Sequence, residues 1–126
     1  MIRALVVILV VGFAPCAHAL SVCPTSDFNV EFATGDDRLN DDDLVLIEAA
    51  ANRARQCNVD RIELIVDGDI STETSLSHRR ATSVASELVE RGLQKDTLQV
   101  LNEGSATYGS SNLATPDTVR VLVFPR

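Results

Sequence analysis

The chain has 126 residues, a formal net charge of −7 and no tryptophan. That length suits one domain, and the acidity argues against nucleic acid or anionic membrane surfaces as partners, because basic patches supply most of the affinity for either. The missing tryptophan removes the usual stacking platform for sugars.

Met1-Ile2-Arg3 opens the chain, followed by an apolar run of about a dozen residues and then Ala17-His18-Ala19. One positive charge, a short apolar stretch and a small-x-small end predict a secretory leader at 1–19, cleaved after Ala19. A retained anchor is the alternative, but a span needs about 20 apolar residues. Cys16 raises lipid attachment, against which stands Pro15 directly before it. Export to the periplasm as a soluble chain is the expectation, with no membrane span after cleavage. Processing leaves residues 20–126 as a single domain, with ten Lys and Arg against eighteen Asp and Glu.

Of three cysteines, Cys23 and Cys57 remain after processing. An even count in an oxidising compartment predicts one structural disulfide, and two separate thiols are the alternative. Cys23 precedes the first predicted strand and Cys57 ends the first predicted helix, positions that a strand-then-helix hairpin brings to one edge of a sheet.

Phe28 to Phe32 alternates apolar and polar side chains, as a half-buried strand does. Asn40 is a good helix N-cap, and Asp41, Asp42 and Asp43 then fall in the first turn, where the helix dipole favours negative charge. This explains the aspartate triplet without a metal. Leu44, Ile47, Ala51 and Ala54 recur at helical steps and predict the buried stripe. Arg61 to Val66 is nearly all apolar and reads as a central strand. A second helix begins between Thr72 and Ser77, with core positions Leu76, Ala81, Val84, Ala85, Leu88 and Val89, and ends at Gly92 in a left-handed cap. Thr97 to Leu101 is a third strand, Gly104 to Asp117 a polar loop, and Thr118 to Phe124 a fourth strand. The order β-α-β-α-β-β predicts an α/β sandwich, two helices packed on a small mixed four-stranded sheet.

Between the second strand and second helix the sequence places Asp69 in an acidic turn and Arg80 near the helix start. A carboxylate and a guanidinium facing one mouth suit a zwitterionic amino-acid group. An internal ion pair steadying the turn fits the same residues. His78 and Arg79 are expected on the solvated helix face. Asp67, Asp69, Ser71 and Glu73 alternate oxygen donors, but counting from Asp67 the twelfth position is His78, where a calcium loop needs glutamate. No Cys-His or Ser-His arrangement has a recognisable catalytic spacing, so neither enzymatic activity nor a cofactor or metal is expected.

Several of these segments, in this order, resemble the OmpA-like domain of Gram-negative envelope proteins, also found in the peptidoglycan-associated lipoprotein and in flagellar stator proteins. Phe28-x-Val30-x-Phe32 with Leu39 is similar to the opening strand, and Arg61-Ile62-Glu63-Leu64 to the second. Leu76-Ser77-x-x-Arg80-Ala81-x-x-Val84 is similar to the Leu-Ser-x-x-Arg-Ala-x-x-Val helix, and Leu88-Val89-x-x-Gly92 to its end. Gly104 and Arg120-Val121 fit the closing region. The resemblance implies non-catalytic, non-covalent binding of the peptidoglycan stem peptide. Asp69 would take the ammonium of diaminopimelate and Arg80 the carboxylate. Here the family's Gly-x-Thr-Asp turn reads Val66-Asp67-Gly68-Asp69, Glu73 stands for an asparagine, and Thr118-Val119 replaces Asn-Arg. The altered turn keeps a second reading open, a degenerate domain acting as a protein–protein adaptor in an envelope complex. Either reading implies association with the cell wall or outer membrane and with envelope proteins.

Overall fold

The computed structural model describes residues 23–68, 70–102 and 117–126. The predicted leader, Cys16, the cleavage point, Asp69, Gly104 and the 104–117 loop other than Asp117 all lie outside them. The elements run β1 (Ser26–Glu31), α1 (Asp41–Gln56), β2 (Val59–Val66), α2 (Leu76–Glu90), β3 (Leu98–Asn102) and β4 (Thr118–Pro125), with one 3-10 turn at Lys95–Thr97 before β3. This is the predicted order, and the third strand starts one residue later than expected because the 3-10 turn takes Thr97.

The strands form one sheet in the order β1-β4-β2-β3. β4 runs antiparallel to both neighbours, and β2 pairs in parallel with β3. A parallel pair needs a long crossover, which α2 supplies between β2 and β3. Because β4 returns between β1 and β2, its first residues lie where both of those strands end: Thr118 pairs with Glu31, and Val119 with Val66. Three chain segments distant in sequence therefore meet at one end of the sheet.

Alternation decides which side chains face the helices. Val30 from β1, Ile62, Leu64 and Val66 from β2, and Val119, Val121 and Val123 from β4 join Ile47, Ala51, Ala54, Ala81, Val84 and Leu88 in the main core. β2 is buried on both faces from Ile62 to Val66, as its apolar run predicts. On the opposite face Ile65 and Leu122 make a smaller cluster with Phe124. Arg61 stacks on the Phe124 ring, 3.9 Å from its centroid. Also on that face, Arg120 binds Asp27 with Nε at 2.9 Å. That hydrogen bond holds the Asp27 carboxyl below its ordinary range.

Helix α1 starts as expected. Asn40 accepts from the Asp43 amide at 2.8 Å and Asp43 Oδ2 accepts from the Asn40 amide at 3.2 Å, a reciprocal capping box. Asp43 is buried by this role. The cap rotates the buried stripe to 43, 47, 51 and 54, so Leu44, predicted as core, is only half-buried. Val45 and Leu46 face outward. Helix α2 is capped by Ser75, which accepts from the His78 amide at 3.3 Å. At its far end Gly92, at φ +95, bonds back to Val89 and Leu93 bonds back to Leu88, the paired contacts of a left-handed glycine cap. Ala81, Val84 and Leu88 are fully buried. Leu76 and Ala85 are half-buried and Val89 is exposed, because the stripe at 81, 84 and 88 leaves position 89 a quarter-turn away.

Cys23 and Cys57 are bridged, with Cα atoms 5.9 Å apart, inside the range a disulfide requires. The bridge closes a loop spanning 34 positions and contributes about 3–4 kcal/mol by the chain-entropy argument. It ties the entry of β1 to the end of α1. Among the described residues no helix is long and apolar enough to cross a membrane.

Candidate functional site

The end of the sheet where β1 and β2 finish and β4 begins is organised around Arg80. Position 80 lies one turn into α2, and its side chain reaches back over the loop that follows β1. Nε donates to the Asp36 carbonyl at 2.7 Å and Nη2 to the Ala33 carbonyl at 3.0 Å. Nη2 also pairs with Asp117 Oδ1 at 2.9 Å. The guanidinium lies over the Phe32 ring, 5.2 Å from its centroid, within cation–π range. The side chain of Arg80 is only 7 % exposed, while that of Asp117 is 41 % exposed. These contacts use Nε and Nη2, and none of them engages Nη1.

Each partner is placed by a local rule. Ala33 to Asp36 is a turn closed by the Asp36 amide on the Ala33 carbonyl at 2.9 Å, with Gly35 at φ +73. Beyond it, Arg79 Nε binds Asp37 at 3.2 Å and Ser83 Oγ donates to the Asp37 carbonyl at 2.8 Å. Three residues of one helix face thus clamp the post-β1 loop. Arg79 is exposed, as expected, yet it serves in the clamp. Asp36 itself pairs with Arg38, which holds its carboxyl below the ordinary value. Asp117 precedes β4 with φ at 65, a left-handed conformation that aspartate tolerates better than most side chains. Its carbonyl accepts from the Phe32 amide at 2.8 Å, which fixes the backbone there.

The turn after β2 closes the other side. Ser77 Oγ donates to the Asp67 carbonyl at 2.5 Å. Gly68 sits at φ +111, and a Cβ there would come within 2.8 Å of Ser77 Oγ. The glycine is required both by its conformation and by the closeness of α2. Ser77 and Arg80 are three apart and so share a helix face. Ser77 thus ties the start of the turn after β2 to α2, one helical turn before Arg80.

Of the predicted pair, Arg80 lies at this sheet end and Asp69 is outside the described residues. The internal carboxylate seen on Arg80 is Asp117, which sequence reasoning did not single out. Phe32 and the Ala33 and Asp36 carbonyls were missed as well. Only the sheet order reveals them, since Asp117 stands 37 positions from Arg80 in the chain. Arg120, matched to the closing region of the resemblance, pairs with Asp27 on the opposite face of the sheet. Among the described residues no group of three His, Cys, Asp or Glu side chains could hold a metal ion.

No family model matches the sequence, and no curated protein matches it. Solved structures do match in three dimensions. The OmpA-like domain of FopA1 from Francisella tularensis superposes with a TM-score of 0.59 at 18% identity, covering 80% of this chain and 73% of that one. The C-terminal domain of Helicobacter pylori MotB gives 0.54 at 22% identity, over 77% and 82% of the two chains. The cell wall anchor of the T6SS from Pseudomonas aeruginosa gives 0.55 at 18% identity, over 81% and 82%. Two helices on a mixed sheet of order β1-β4-β2-β3, with these likenesses, give the chain the fold of the OmpA-like domains, in a sequence far from each of these three.

Proposed function

We propose that the protein is a non-catalytic module of the bacterial cell envelope that binds the peptidoglycan stem peptide non-covalently. Residues 20–126 would form the module and 1–19 its cleaved leader, delivering it to the periplasm. The observation that carries this reading is the buried guanidinium of Arg80, fixed over the loop after β1 at this end of the sheet, with Nη1 uncommitted among its described contacts. A desolvated arginine is a costly feature in a domain this small, and a planar fork is the donor best matched to a carboxylate. Solved structures of the same fold include a cell wall anchor and a periplasmic domain, which supports the cellular setting.

In this reading Arg80 takes the carboxylate of diaminopimelate and Asp69 its ammonium. Hydrogen bonds to charged groups contribute roughly 1.5–3 kcal/mol each when partly shielded. Two anchors with help from nearby backbone groups give micromolar affinity, about −8 kcal/mol. The second reading, an adaptor for another envelope protein, draws on the carboxylate already paired with Arg80.

Sedimentation with purified sacculi separates the two. The wild-type chain should pellet with sacculi at low salt, and Asp69→Ala should lower the bound fraction at least about tenfold, the worth of one shielded charge contact. A wild-type chain that stays in the supernatant at both low and moderate salt would leave the adaptor reading in its place.

A further inference from the structure

We propose that Asp117 is an internal competitor for the carboxylate-receiving edge of Arg80, and so sets how tightly the site takes an anionic ligand. The inference rests on the reading of Arg80 as a ligand residue. A guanidinium has two edges able to grip a carboxylate with paired bonds: Nε with one terminal nitrogen, or the two terminal nitrogens together. In this protein the first edge is spent on the main chain, because Nε holds the Asp36 carbonyl and Nη2 the Ala33 carbonyl. The second edge, Nη1 with Nη2, is the one left for a ligand. Asp117 Oδ1 stands on its Nη2 side at 2.9 Å.

The two partners are unequally held. The Arg80 side chain is clamped at 7 % exposure under the post-β1 loop, whereas that of Asp117 is 41 % exposed. The Asp117 backbone is pinned by the Phe32 amide at 2.8 Å. Its carboxylate can therefore leave by side-chain rotation into water, without moving β4, while Arg80 stays in place. An arriving carboxylate must displace this one or share the fork with it, and sharing sets two negative charges side by side. Asp117 thus lowers affinity for a simple anion. A ligand that also carries a cation, as diaminopimelate does, brings its own compensation for that charge. The internal carboxylate consequently favours zwitterionic ligands over plain anions.

The test is sacculus sedimentation with the full chain as wild type, Asp117→Asn and Arg80→Lys. Asparagine keeps the shape and one oxygen for Nη2 but removes the competing charge. Asp117→Asn should bind sacculi about tenfold tighter than wild type, the size of one charge-assisted contact at a half-exposed site. Arg80→Lys, which keeps the charge without the planar fork, should bind more weakly than wild type. A merely structural pair would instead lose stability on Asp117→Asn with no gain in binding. If wild type binds and Asp117→Asn binds equally or less, the competitor role is overturned while the wall-binding reading stands. If only Asp117→Asn binds, the competitor role holds and the wild type is not a wall binder. Binding by neither overturns both.

Discussion

Arg80→Ala is expected to lower stability by about 2–4 kcal/mol, visible as a fall of roughly 10–20 °C in Tm for a domain of this size. The truncation removes three things at once. Two backbone carbonyls, of Ala33 and Asp36, lose a charged donor; Asp117 loses its counter-ion; and Phe32 loses the plane stacked over it. Leaving a buried polar group without a partner costs about 1–3 kcal/mol. The half-buried Asp36 carbonyl faces part of that loss, because its described donor is Arg80, while the Ala33 carbonyl still accepts from the Asp36 amide. Asp117 is half-exposed and can turn to water, which keeps the total short of the upper end of the 3–5 kcal/mol expected when a buried pair is broken. Arg80→Lys should fall between, since an ammonium keeps the charge but not three separately aimed bonds. Thermal and urea unfolding of the two variants would read this directly. An alanine variant melting within about 2 °C of wild type would mean that the post-β1 loop is held by Arg79 and Ser83 alone.

The second large effect is expected at Leu64→Ala. Leu64 is fully buried, and its strand is flanked on both sides, by Val121 of β4 and Val100 of β3 in register. Backbone hydrogen bonds on both sides prevent β2 from collapsing into the space left by the missing methyl groups. Such sites sit in the upper part of the range for leucine truncations, about 3–5 kcal/mol. Small domains have total stabilities of about 5–15 kcal/mol, so the loss is a large share of the total and should show as a marked fall in the urea midpoint. Val45→Ala on the outer face of α1 supplies the contrast. Val45 is 66% exposed, and its truncation should stay within about 0.5 kcal/mol. Equal losses at the two sites, measured by urea midpoints, would contradict the assignment of the core.

Both effects bear on what the sequence makes legible. Local signals carried the elements. The alternation at Phe28 to Phe32, the Asn40 cap before three aspartates and the Gly92 stop each obey a rule that acts within a few residues. Spacing alone predicts Leu44 and Val89 in the core, because it locates a stripe only to within one residue. The reciprocal cap at Asn40 and Asp43 then set the phase of α1. The network at Arg80 was half legible. Arg80 is marked in the sequence by its place near the start of the second helix, but its partners come from the loop after β1 and from the return of β4. β4 returns between β1 and β2, and no local pattern states that the last strand inserts there. Asp117 reaches Arg80 only through that insertion. The Cys23–Cys57 bridge is the pair expected once the predicted leader, with Cys16, is set aside.

Wall binding requires that the end-on edge of Arg80 receive a carboxylate. The direct measurement is an NMR titration of the 15N-labelled chain with a soluble stem peptide containing diaminopimelate, following the Arg80 side-chain N–H signals. Those signals should shift saturably with a micromolar midpoint. Asp69→Ala should weaken the shift and Asp117→Asn should sharpen it. Saturable binding that leaves the Arg80 signals unmoved, or no binding up to millimolar peptide, would contradict this role of Arg80.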